Sequence, residues 1–102
     1  MDWNKIAEYL RDESGYFPPE ASYTICDSVY IESSDFCCSI FPHGNQIEIY
    51  LRANINNKKF YVGSSYDEAE DTYNFIHFLR EELDDMYERL DRKIAKEFPN
   101  IF

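Results

Sequence analysis

The segment QIEIYLRA, residues 46–53, alternates apolar and polar side chains without a fault. Ile47, Ile49, Leu51 and Ala53 fall on one side; Gln46, Glu48, Tyr50 and Arg52 fall on the other. A period of two over eight residues is the pattern of a strand with one face buried and one face wet. Turn residues bracket it. Pro42-His43-Gly44-Asn45 precedes it and Asn54-Ile55-Asn56-Asn57 follows, and Gly44 and Asn45 tolerate a positive φ. Residues 36–41 and 58–62 read as its two neighbours in the sheet. Residues 22–32 read as a further strand, in which Tyr23, Ile25, Val29 and Ile31 form the apolar set. Asp27 interrupts that set and marks a bulge or an edge position. Such short turns join consecutive strands into an antiparallel meander with one apolar face.

Helices are expected at both ends. Trp3, Ile6, Ala7 and Leu10 recur at three- and four-residue steps over residues 3–13, and Asp2 is placed as the N-cap. Ser14-Gly15 supplies a stop, and Pro18-Pro19 prevents resumption. From Asp67 to Glu97 there is neither Pro nor Gly, and Ala69, Tyr73, Ile76, Leu79, Leu83, Met86, Leu90 and Ile94 keep one helical stripe. Ser64 or Ser65 is the expected cap, after a Gly63-Ser64-Ser65 connection. A helix of this length spans about 46 Å at 1.5 Å per residue, against about 26 Å for twice the radius of gyration expected of such a domain. The helix is therefore expected to break near Asn74, to project, or to pair with a partner. The predicted fold class is α+β: one domain over residues 1–102, in the order α–β–β–β–β–α, with a three- to four-stranded antiparallel meander flanked by an N-terminal helix and a long acidic C-terminal helix.

Composition limits the functions open to such a fold. Of 102 residues, 20 are Asp or Glu and 10 are Lys or Arg, a formal net charge of −10. Like charge repels free nucleic acid and anionic membranes, so neither is expected as a direct partner. No basic, apolar leader opens the chain, and no run approaches the roughly 20 apolar residues of a membrane span. Three cysteines without a spaced framework fit a reducing compartment, so a cytoplasmic location is expected.

Side chains with reactive chemistry are present but not patterned for it. Cys37 and Cys38 are adjacent, so on a strand they point to opposite faces. Cys26 can meet Cys38 across a hairpin, with His43 or His77 as further ligands, but no Cys-x-x-Cys or His-x-x-x-His spacing supports a metal. The glycines Gly15, Gly44 and Gly63 are isolated, which excludes a phosphate-cradling loop. The chain is read as a non-enzyme that takes no cofactor and no metal.

The acids themselves carry the strongest pattern. Nine lie between Asp67 and Glu88: Asp67, Glu68, Glu70, Asp71, Glu81, Glu82, Asp84, Asp85 and Glu88, with Arg80 as the single base. On a helix, Asp67, Glu70, Asp71, Glu81, Asp85 and Glu88 fall opposite Leu83. Acids three or four residues apart rise about 4.5–6 Å along the axis, a step comparable to that between phosphates. Such pairs weaken a helix by a few tenths of a kcal/mol each. The dipole accounts for acids at the N-terminus, but not for those from Glu81 to Glu88. Phe78 is expected to project toward the acid side, where an aromatic ring can stack on a partner's arginine. The expected partner-binding residues are Asp67, Glu70, Asp71, Phe78, Glu81, Glu82, Asp84, Asp85 and Glu88.

With these residues as its support, the chain resembles the small acidic phage-type inhibitors that mimic DNA, including anti-CRISPR proteins. The resemblance covers the plan of the chain and rests on no motif. It implies a monomeric or homodimeric inhibitor that sterically occupies the basic cleft of a nucleic-acid-binding protein, such as a CRISPR effector nuclease. A toxin-neutralising immunity protein and a dimeric chaperone-like adaptor are the alternative readings.

Overall fold

A computed structural model of the chain describes residues 1–67 and 71–99. Its elements are α1 (Trp3–Asp12), β1 (Ser22–Ile25), β2 (Val29–Glu32), β3 (Phe36–His43), β4 (Gln46–Ile55), β5 (Lys58–Asp67) and α2 (Thr72–Glu97). The strands form one antiparallel sheet in sequence order, and the helices lie on one face of it. The α+β class and the meander stand as expected, with five strands in place of three to four.

The fifth strand comes from residues 22–32, which form a hairpin and not one strand. Ile25 pairs with Val29 around Cys26, Asp27 and Ser28, and Asp27 sits at φ 52°. Aspartate is among the few residues that occupy this left-handed region readily. The turn before β4 is also tighter than expected. Pro42 and His43 remain in β3, opposite Ile47 and Gln46, and only Gly44-Asn45 close the loop. After β4, Asn56 and Asn57 both take positive φ, 52° and 64°, as a two-residue hairpin turn of the primed type demands.

The expected apolar set of β4 is the centre of the core. Ile47, Ile49, Leu51 and Ala53 are buried beside Val29, Ile31, Cys38, Ile40, Phe60 and Val62. α1 covers the β1–β2 end with Ile6, Ala7 and Leu10; Asp2 caps it by accepting from the Lys5 N–H at 3.1 Å. α2 covers β4 and β5 with Phe75, Leu79, Leu83, Met86, Leu90 and Ile94.

Three expectations for the last helix are corrected. It is capped by Asp71, whose side chain accepts from the backbone N–H groups of Tyr73 and Asn74, whereas Ser64 and Ser65 lie within β5. It does not break at Asn74. Nor does it project: its 26 residues span about 39 Å, within the molecule's longest extent of 43 Å. Ten-residue strands β4 and β5 reach about 33 Å, so the sheet supports the helix along most of its length. The expected stripe residue Ala69 lies outside the described residues.

Candidate functional site

Because the apolar stripe of α2 faces the sheet, its opposite side must face solvent. Glu81, Asp84, Asp85 and Glu88 are all exposed there. From Glu81 to Glu88 the ridge rises about 10 Å. The structure brings these four expected residues together on one rigid element.

The remaining expected residues separate from that ridge. Asp67 ends β5 opposite Gln46, on the face of the sheet turned away from the helices. Asp71 is committed to the N-cap of α2, at 2.8 Å from the Tyr73 nitrogen and 3.3 Å from that of Asn74. Phe78 does not project; it is half-buried, 4.8 Å from the Tyr66 ring and 6.3 Å from that of Phe75. Apolar ring surface gains more from that packing than from water. Glu82 is half-buried as well, accepting from the Ser64 hydroxyl at 2.8 Å and pairing with Arg89 at 3.4 Å. Glu70 and the neighbouring Glu68 lie outside the described residues.

The ridge carries its own counter-charges. Arg89 pairs with Asp85 at 2.9 Å, and Arg92 with Glu88 at 3.3 Å. Asp84 accepts a hydrogen bond from the Tyr16 hydroxyl. That bond, ahead of burial, pushes the Tyr16 pKa up to about 12. Tyr16 in turn stacks on Tyr87 at 4.2 Å, and Tyr87 on Phe36 at 5.4 Å. Both arginine pairs are exposed and join residues four apart, an arrangement worth about 0.3–0.5 kcal/mol each. Such pairs exchange readily for a partner's cations. Glu81 has no side-chain partner among the described residues.

A second surface escaped the sequence reading. The outer face of the sheet carries Tyr30, Ser39, Tyr50 and Gly63 in one cross-strand row, and Glu32, Cys37, Arg52 and Tyr61 in the next. Tyr50 and Phe41 stack with ring centroids 5.8 Å apart. Tyr30, Phe41, Tyr50 and Tyr61 rim a shallow cavity of about 240 Å³, with Cys37 and Arg52 in its lining. Cys37 is only 6% exposed although it points away from the helices. Hydrogen bonding with Cys37, and then with Glu32, pushes the Tyr30 pKa up to about 12. The alternation that placed Glu48, Tyr50 and Arg52 on one side of β4 was the sequence signal for this face.

Cys38 is fully buried on the helix side, and burial raises its pKa; Cys26 is exposed in the β1–β2 turn. Among the described residues no three His, Cys, Asp or Glu side chains are grouped to hold a metal ion. No described helix is long and apolar enough to cross a membrane. Comparison with known proteins finds no matching family model, curated protein or solved structure.

Proposed function

We propose that the protein acts by binding another protein, docking the exposed ridge of α2 on a basic surface that otherwise holds nucleic acid. The observation that supports this most is the grouping of Glu81, Asp84, Asp85 and Glu88 on the solvent side of one unbroken helix. A rigid helix loses little conformational freedom on docking, so the attraction is not spent on ordering the ridge. The chain's net charge of −10 adds long-range steering toward a basic partner. In this reading the protein is an inhibitor by occupation, of a nuclease or another nucleic-acid-binding protein.

The immunity-protein reading shares this physics and differs only in the target. A dimeric adaptor built on α2 is disfavoured, because the apolar stripe of that helix is already used against its own sheet.

Capture on immobilised protein tests the proposal. Basic nucleic-acid-binding proteins should be retained at low salt and eluted by raising the salt concentration, and the added cognate nucleic acid should compete. Retention that ignores both salt and competing nucleic acid would reject the reading.

A further inference from the structure

The outer face of the sheet lies opposite the α2 ridge, and its chemistry differs. The ridge is exposed carboxylate. The sheet face is aromatic and holds one arginine.

That arginine is unlike the others in the chain. Of five arginines, Arg11, Arg80, Arg89 and Arg92 each pair with a carboxylate. Arg52 is half-buried and has no acidic partner among the described residues, in a chain where acids outnumber bases two to one. Glu32 stands in the same cross-strand row as Arg52 with Cys37 between them, and Glu48, two rows away, accepts from Tyr50 at 3.3 Å. A half-buried guanidinium beside aromatic rings forms strong, paired hydrogen bonds with a carboxylate brought to it.

The surroundings are shaped for close approach. Gly63 lies in the middle of β5, where a glycine weakens a strand. A Cβ there would come within 2.9 Å of the Tyr50 ring. The glycine therefore lets Tyr50 lie across the strands as part of the cavity's rim. At about 240 Å³ the cavity is below the roughly 300–1,000 Å³ of small-molecule sites. It suits one anchoring side chain. Tyrosine and arginine are also the residue types that carry most binding energy at protein interfaces.

We propose that this face is a second docking surface, which takes a protein segment by an Asp or Glu side chain placed on Arg52 between Tyr30, Tyr50 and Tyr61. Two independent faces would make the protein a bridge between a basic partner on α2 and an acidic segment on the sheet. Nucleic acid also offers anions and stacking rings, but it brings a negative charge with every nucleotide against the net charge of −10, where the proposed segment needs to bring only one.

Selection of phage-displayed random dodecapeptides on the full chain tests this, with single-stranded oligothymidylate titrated in parallel. Enriched peptides should share an acid at a fixed position. Their affinity should fall roughly tenfold or more in Arg52→Gln, equivalent to the loss of one charge-assisted contact. Tyr61→Ala, at a site 52% exposed, should weaken the same peptides, with both variants checked for an unchanged melting temperature. The α2 substitution Glu81→Lys should leave peptide binding intact. No enrichment, enrichment without a shared acid, equal binding by Arg52→Gln, or tighter binding of the oligothymidylate would each overturn the proposal.

Discussion

The ring of Tyr50 rests on Gly63: a methyl group on that glycine would stand 2.9 Å from the tyrosine Cε1 and 3.1 Å from Cδ1. Gly63 has no positive φ, so its backbone suits any residue and the ring alone makes the site specific for glycine. Gly63→Ala should therefore change stability little. Relief of glycine's extra chain entropy, about 0.5–1 kcal/mol, opposes the cost of moving a half-exposed ring. The ring itself should shift off Phe41. Denaturant melts should show the small stability change, and aromatic proton shifts of Tyr50 and Phe41 should show the large local one.

The outer strand β5 is a sheet edge, and α2 reaches over to cover it. Lys93 donates to the Tyr61 carbonyl at 2.6 Å and Arg89 to the Gly63 carbonyl at 3.4 Å, two alternate residues of the strand. Glu82 accepts from the hydroxyl of Ser64, the next residue along the strand. Uncovered carbonyls on a long edge invite pairing with another chain. The double variant Arg89→Ala/Lys93→Ala should lose about 1–2 kcal/mol of stability and should self-associate at concentrations where the parent does not. Sedimentation of the two proteins side by side measures this.

Stability should also decline at high pH through Tyr16. Its pKa is raised from an ordinary 10.0 to about 12, first by the hydrogen bond to Asp84 and then by burial. The folded state thus favours the neutral phenol. That contribution is fully present below pH 10.0, declines as pH rises above it, and is gone above about 12. Asp84→Asn should move the Tyr16 titration back toward 10.0 and so shrink the stability lost between pH 10.0 and about 12. Tyrosinate absorbance, followed alongside circular dichroism, separates the two effects.

The core positions read from the sequence were largely those the structure buries, because burial leaves a strict period. Leu83 shows this: it was the reference of the helical stripe and is fully buried. Leu83→Ala should cost about 2–5 kcal/mol. The hairpin at 22–32 was not legible for a related reason. Its three-residue loop keeps Ile25 and Val29 in the same phase of alternation, so two strands look like one with a fault at Asp27. The far half of β5 was missed because Gly63, Ser64 and Ser65 have weak strand preference, which pairing with β4 overrides. At the candidate site, the acids from Glu81 to Glu88 were legible but their neutralisation was not. A charge count that stops at Glu88 ends one residue short of Arg89, which pairs with both Glu82 and Asp85.

That pairing makes charge reversal on α2 a discriminating experiment. Glu81→Lys/Asp85→Lys/Glu88→Lys should leave the fold intact. It removes two exposed ion pairs and places like charges four residues apart, a cost of about 1 kcal/mol in all. Natural domains hold roughly 5–15 kcal/mol, so the helix survives. Binding to a basic partner should nevertheless fall by several orders of magnitude, because attraction at three positions becomes repulsion. Glu82→Gln supplies the contrast. Its carboxylate is half-buried against Ser64 and Arg89, so this change should lower stability more than binding. If Glu82→Gln abolished partner binding while the triple variant kept it, the contact would lie toward the β5 edge and not on the outward ridge.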